Sequence, residues 1–216
     1  MKVKLFNEFK NETILKNNRK YNQFLSNFKD EIDQKLKRSN VVAWGAPGSQ
    51  LENFQLVSKY IEKGETLLDY GCGIGDFIEH LLNVDKEPSN YLGVDINRNY
   101  IEIASDSYPD NKFKLIRSID DIGDNKWDNI CAIGVFTWYI DKEDFINIIN
   151  KLYNSCNKNL LLTFLYRKDV KYDKEGYWDS KYRYYNEELF KTLFPNYNIQ
   201  YELNSTKSTL LVKIKH

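Results

Sequence analysis

The chain has 216 residues with 31 basic and 31 acidic side chains, so its formal net charge is zero. That length fits one domain with a large core, and balanced charge argues against the basic surface that holds nucleic acid non-specifically. Three cysteines with no C-x-x-C pair, and only two histidines, argue against a protein zinc site or any other metal centre. No apolar run approaches the ~18 residues of a membrane span. The polar N-terminus does not resemble a secretory signal, and an odd cysteine count then leads to the expectation of a reducing, cytoplasmic setting.

Residues 1 to about 38 place Phe6, Phe9, Ile14, Leu15, Tyr21, Phe24, Leu25, Phe28, Ile32 and Leu36 at steps near three and four. This stripe predicts one or two amphipathic helices. They form an N-terminal extension over residues 1–40, packed on a main domain of residues 41–216 and a candidate lid over it. Gly45, Pro47 and Gly48 then punctuate a loop. Leu51, Phe54, Leu56, Val57, Tyr60 and Ile61 mark the helix after it. Trp44 and Gln50 stand in this entry region, either as parts of a turn or as a clamp on a ligand.

The most informative stretch is Leu67-Leu68-Asp69-Tyr70-Gly71-Cys72-Gly73-Ile74-Gly75-Asp76-Phe77. An apolar strand meets an acid, then three glycines at alternate positions, then a helical pattern. Glycine is required where the backbone takes positive φ or a ligand touches it directly. The next helix offers unpaired N–H groups at its first turn. A dinucleotide fingerprint would read G-x-G-x-x-G with a pyrophosphate on that helix. Here the spacing is G-x-G-x-G, and Asp76 occupies the place of the third dinucleotide glycine. An acid there repels a pyrophosphate. Asp69 adds a second negative charge, so a cationic ligand portion suits the turn better.

Tyr91-Leu92-Gly93-Val94-Asp95-Ile96-Asn97 reads as a second buried strand ending in an acid. An acid at that tip, about 20 residues past the glycines, is placed to accept hydrogen bonds from ribose hydroxyls. Nicotinamide enzymes use the same device, so Asp95 indicates a nucleoside without choosing the cofactor. The D-x-G-x-G-x-G pattern of Asp69 to Gly75 resembles the first motif of class I S-adenosylmethionine (SAM)-dependent methyltransferases. The resemblance implies SAM as cofactor. It implies that the Gly71, Gly73 and Gly75 loop passes under its methionine part, with Asp69 interacting, often through water, with the amino end. Asp95 and the neighbouring Ile96 would then serve the nucleoside, and Trp44 would close over it.

From Thr66 the pattern alternates. Strands are expected at 66–70, 91–95, 113–116, 128–134 and 158–165, and helices at 75–83, 98–107, 142–155 and 186–194. Fully apolar strands alternating with helices indicate a parallel sheet covered on both faces. Runs at 197–204 and 208–214, broken by Ser205-Thr206-Lys207-Ser208, read as a closing antiparallel hairpin. The expected fold is therefore α/β, a Rossmann-like three-layer sandwich with a mostly parallel seven-stranded sheet, as in the family it resembles.

Ligands of such sheets bind beyond the carboxyl ends of the strands. After the third strand the family often carries an acid that contacts the adenine amino group. Ser118 stands at that position, with Ile119 as a surface for the ring and Asp120 or Asp121 slightly later. After the fourth strand, Gly134 lets the backbone pass near the sulfonium. Phe136, Trp138 and Tyr139 are candidate walls of the transfer site, since a polarised methyl on sulfur is drawn to aromatic faces. Aromatic residues at a strand end are also candidates for core or lid packing. The Asn/Asp-Pro-Pro-aromatic and Pro-Cys signatures of DNA-base methyltransferases are absent. Residues 166–185 are dense in tyrosine and in both charges, and fit neither a helix nor a strand period. Tyr166 and Arg167 there are candidate acceptor-binding groups.

These readings favour a methyltransferase acting on a small-molecule or protein acceptor. RNA or a nucleotide is the second choice of acceptor. A nicotinamide oxidoreductase, a non-catalytic SAM-binding module and an aminopropyl transferase stay open. No residue stands out as a general base, and His80 reads as packing.

Overall fold

A computed structural model of the protein describes residues 49–137, 142–168 and 184–215. The expected helical extension, Trp44, Trp138, Tyr139 and the middle of the Tyr-rich segment lie outside these residues.

Helix α1 (Ser49–Ser58) precedes β1 (Thr66–Tyr70), α2 (Asp76–Asn83), β2 (Asn90–Asp95), α3 (Arg98–Ser107) and β3 (Lys112–Leu115). A 3-10 turn (Ile119–Ile122) leads to β4 (Trp127–Ala132) and a second short turn (Val135–Thr137). Then come α4 (Lys142–Ser155), β5 (Cys156–Leu165), α5 (Glu187–Leu193), β6 (Asn198–Leu203) and β7 (Thr209–Lys215). The sheet order is β3-β2-β1-β4-β5-β7-β6. Strands β1 to β5 are parallel, and β7 slots antiparallel between β5 and β6. This is the expected mostly parallel seven-stranded sheet with its antiparallel hairpin.

Two cores cover the two faces, as the doubly apolar strands require. Alternate residues go opposite ways. Leu67, Cys131 and Leu161 meet α1 and α2 on one face, packing on Val57, Phe77 and Leu81. Leu68, Ile130 and Leu162 meet α4 and α5 on the other, on Phe145, Ile149 and Phe190. That second core is dominated by rings. Phe136, Phe145, Phe164, Tyr185 and Phe190 form one connected cluster of rings, with centroids 4.4 Å apart for Phe164 and Tyr185. Such pairs each add about 0.5–1.5 kcal/mol beyond area burial.

Strand β4 ends two residues before the expected Gly134, because Gly134 takes φ 72° and leaves the pleat. The amino ends of the strands close on polar contacts. Asn159 Nδ2 donates to Asn129 Oδ1 at 2.9 Å, and Lys158 pairs with Glu65 at 2.7 Å. The opposite, carboxyl ends of β2, β1 and β4 are left side by side in the sheet centre.

Candidate functional site

The glycine turn leaves β1 with Gly71 at φ 78°, Gly73 at φ 57° and Gly75 at φ 84°. Only glycine adopts this region freely. Strand β2 holds the turn in shape. Gly71 and Cys72 both donate their N–H to the Val94 carbonyl, at 2.7 and 3.0 Å. Gly73 N–H donates to Asp95 Oδ2 at 3.0 Å, and Asn97 N–H donates to Asp95 Oδ1 at 2.8 Å. A Cβ on Gly71 would lie 2.4 Å from the Val135 Cγ2 methyl. The turn after β4 is therefore packed directly against the glycine turn.

Gly75 caps α2, and the first helical residue, Asp76, is buried. Gln50 Nε2 donates to Asp76 Oδ2 at 3.2 Å. Gln50 thus ties the head of α1 to the head of α2, beside the glycine turn. His80 is wedged between these helices, bonded to Ser58 Oγ at 3.2 Å and stacked near Phe54 and Phe77. Burial lowers its pKa from the usual value. It is a packing residue, as the sequence indicated.

The predicted site residues fall into three groups. Asp95, the glycines, Ile96 and Gly134 come together at the carboxyl ends of β1, β2 and β4. Asp95 is 9% exposed, while the Ile96 side chain beside it is 49% exposed, an open apolar surface next to a carboxylate. The second group turns inward. Asp69 is 2% exposed and faces the α1/α2 side, where Tyr91 OH donates to its Oδ2 at 2.9 Å and Cys131 Sγ contacts Oδ1 at 3.4 Å. Ile119, expected as a surface for a base, is buried with Ile116 and Ile122, because the 3-10 turn rolls it into the α4/α5 core. Phe136, read as either a site wall or plain packing, is buried for a comparable reason: its ring completes the aromatic core, and its carbonyl accepts from Tyr185 OH at 3.2 Å. Both leave the candidate site, Ile119 as a correction to the sequence reading and Phe136 in favour of its packing alternative. Ser118 caps the 3-10 turn in a reciprocal box with Asp121, whose carboxylate accepts from Arg117 and Ser118 N–H. These two bonds hold the Asp121 carboxyl below its usual pKa. Asp121 is thereby committed to the cap.

The third group lies at the end of β5. Tyr166 is half-buried, and its N–H donates to the Ser208 carbonyl at 2.8 Å. A bridge pairs it with Tyr185, so the two ends of the Tyr-rich segment are pinned together. Arg167 is exposed, with its guanidinium 5.6 Å from the Tyr184 ring centroid.

A family model described as "Methyltransferase domain" matches residues 46–202, which contain every element from α1 to α5 and nearly all of β6. The chain belongs to this methyltransferase family. Its relatives include protein 235L of Invertebrate iridescent virus 6, whose name proposes a methyltransferase. That protein is 26% identical over 102 residues, 47% of this chain and 38% of the relative. The uncharacterized protein RP028 of Rickettsia prowazekii (strain Madrid E) is 36% identical over 99 residues, 41% of this chain and 38% of that protein. The chain thus matches well under half the length of these curated relatives. Among solved structures, the magnesium protoporphyrin IX methyltransferase of Synechocystis PCC 6803 with bound S-adenosylhomocysteine (SAH) superposes with a TM-score of 0.65. It is 16% identical, and the match covers 95% of this chain and 100% of that one, a likeness of fold.

SAM is the cofactor that goes with this methyltransferase fold, and the residues present fit it. Among the described residues no Lys or Arg pairs with Asp69 or Asp95. Burial pushes the pKa of Asp95 up to about 6, against the pull of N–H bonds from Asn97, Gly73 and Ile96. Burial likewise pushes Asp69 up to about 6, with Tyr91 and Cys131 opposing and the Asp95 charge adding to it. Two carboxylates without a counter-charge suit a cationic, hydroxyl-bearing ligand and repel a diphosphate.

Gly71→Ala meets both a positive φ and the Val135 methyl, and should lose about 2–4 kcal/mol of stability. Adding Val135→Ala should recover the steric part and leave the backbone part, which denaturant titration of both variants measures. An unchanged midpoint in Gly71→Ala would contradict the packing described. Asp69→Asn should stabilise the protein at pH 7. The raised carboxyl pKa means the native state holds the proton more tightly than the unfolded chain. The cost is therefore absent below about pH 4 and complete above about pH 6, worth on the order of 1–3 kcal/mol. Thermal melts at pH 7 and pH 4 should show a gain at the first and little at the second.

Proposed function

We propose that this methyltransferase moves a methyl group from SAM to a small-molecule or protein acceptor. The observation that carries the reading is Asp95: a carboxylate fixed by Gly73 and Asn97 N–H groups, with Ile96 exposed beside it. With about four acceptor sites, the carboxylate has capacity beyond these backbone bonds for a ribose hydroxyl. Ile96 offers an apolar face to the base. The glycine turn, with no Cβ over its backbone, lets the methionine part lie close. Asp69, below the turn, contributes its charge through the protein rather than by contact. When bound, SAM supplies a methyl carbon already activated by its sulfonium.

The chain's own work is to bind, align and exclude water, which is worth much of the barrier in a displacement between two held partners. Gly134 brings the β4 turn close to the reacting end. Tyr166 and Arg167 stand on the acceptor side, at the end of β5. Ser118 serves the adenine edge through its position at the head of the 3-10 turn. Trp44 keeps the covering role, and Trp138 and Tyr139 the role of transfer-site walls, read from the sequence. We assign no general base. The zero net charge keeps RNA behind small-molecule and protein acceptors. Three buried free thiols suit a cytoplasmic setting.

Titration of SAH into the wild type by calorimetry should show binding, with NAD giving none. Asp95→Ala should weaken it by roughly 100-fold, the loss of two hydrogen bonds to a charged acceptor. NAD binding, or SAH binding indifferent to Asp95, would sink the reading. Affinity should also depend on pH. A ligand that needs Asp95 ionised binds at full strength above about pH 6. It weakens by about tenfold per pH unit below that, as the proton competes. A flat profile from pH 5 to pH 8 in the folded protein would contradict the role of the carboxylate.

A further inference from the structure

Two segments meet on the acceptor side of the sheet: the end of β5 and the residues that lead into α5. Backbone bonds fix both. Tyr166 N–H donates to the Ser208 carbonyl at 2.8 Å, and Tyr185 N–H to the Leu165 carbonyl at 2.7 Å. Arg167 N–H donates to the Tyr185 carbonyl at 3.3 Å. Two further bonds tie this strip to the turn after β4. Gly134 N–H donates to Thr163 Oγ1 of β5 at 2.9 Å, and Tyr185 OH donates to the Phe136 carbonyl at 3.2 Å. Strand β4 has β5 on one side and β1, with the glycine turn, on the other. Arg167 therefore stands one strand over from the turn after β4, on a backbone held from two sides.

The Arg167 guanidinium lies 5.6 Å from the Tyr184 ring centroid, within reach of a cation–π contact. Among the described residues no carboxylate pairs with Arg167 or with Lys168 beside it, and both are exposed. Glu187, three residues past Tyr184, is engaged with β6 instead. Its carbonyl accepts from Tyr201 OH at 3.4 Å, and burial together with its charge raises the Tyr201 pKa. A guanidinium seated on a ring keeps the N–H groups along its edge for a ligand. That edge matches a carboxylate or a phosphate with two parallel bonds. The cofactor side shows the reverse, with Asp69 and Asp95 buried without a cation. The two halves of the site thus carry opposite charges that the described protein leaves uncompensated. One suits a sulfonium and the other an anion, and those two ligands attract each other across the site.

We propose that the methyl acceptor carries an oxyanion, a carboxylate or a phosphate ester, which the edge of the Arg167 guanidinium binds while Tyr184 holds the plane of that group. This rests on the SAM reading above and narrows its acceptor. Arg167 is then a specificity-determining residue. It selects the acceptor by charge and shape and takes no part in the transfer itself. Lys168 adds charge at the same end without the planar fork.

The test titrates three probes into the SAH-loaded full chain by ligand-observed NMR: benzoate, phenyl phosphate and the neutral benzamide. At least one of the two anions should bind about tenfold tighter than benzamide, the scale of a hydrogen bond to a charged group. The tighter of the two identifies the oxyanion as carboxylate or phosphate. Arg167→Gln should remove the preference, and Arg167→Lys should keep part of it, since the charge stays and the fork is lost. Tyr184→Leu should weaken the preferred anion about threefold. Calorimetry with SAH reads the cofactor side of each variant separately. Equal binding of the three probes, binding of none, or a preference that survives Arg167→Gln overturns the proposal. So does an equal loss of SAH affinity in Arg167→Gln, which would mean that the arginine only supports the fold. Failure of the wild type to bind SAH would instead overturn the SAM reading on which the proposal rests.

Discussion

The site depends on one buried carboxylate and the backbone N–H groups that donate to it. Three glycines with positive φ in five residues would sample many shapes on their own. The bond from Gly73 N–H to Asp95 selects one of them, and the paired bonds to the Val94 carbonyl hold its start. Asp95 can do this because it ends a strand in parallel register with β1, where Tyr70 pairs with Val94 and Asp69 with Gly93. Removing a carboxylate from water without a counter-charge costs several kcal/mol. The fold sustains that cost at the place where a cationic ligand would relieve it, so the cost of burial and the affinity for the ligand have one origin.

Gly93 shows how closely the strands are fitted around this bond. A Cβ there would lie 2.7 Å from Phe113 and 2.9 Å from Cys72 Sγ. The missing side chain lets the loop sulfur settle over β2 and lets Phe113 cover it from β3. Cys72 is thus a packing group, and burial keeps its thiol well above the usual pKa and unreactive. Three strands and one loop meet at a residue that contributes no side chain. Close packing of this kind transmits small displacements, which is why the turn after β4 and the glycine turn act as one unit.

Much of this was legible in the sequence, and the reason differs by element. Strands β1, β2 and β5 are apolar on both faces, so period and length both identify them. Their order in the sheet is not in their periodicity, and the resemblance carried by Asp69 to Gly75 gave only a mostly parallel sheet of seven strands with a closing hairpin. Asp95 was legible because spacing from the glycines places it. Ile119 was misread and Phe136 left undecided for a common reason. Each is an apolar residue just past a strand end, where the next turn decides between ligand and core. For Phe136 the decision is made by Phe145, Phe164 and Tyr185, which are remote in sequence. Thr163 and Tyr91 went unnoticed because a single polar group in an apolar strand has no pattern. Their partners, Gly134 and Asp69, are set by register alone.

The same distinction separates the two halves of the chemistry. The nucleoside side is built from backbone N–H groups, one strand-end acid and positions without a Cβ. These features arise from a short local motif and tolerate wide change elsewhere, so a chain 16% identical to a solved methyltransferase can share its fold nearly end to end. The acceptor side is built from the segments that leave β4 and β5, where Tyr166, Arg167 and Tyr184 begin and end a stretch with no period of its own. Loops set on a rigid sheet are where one fold acquires different substrates. The cofactor is therefore readable from a dozen residues around Gly73, while the acceptor is encoded in side chains whose meaning depends on a partner that the motif does not describe.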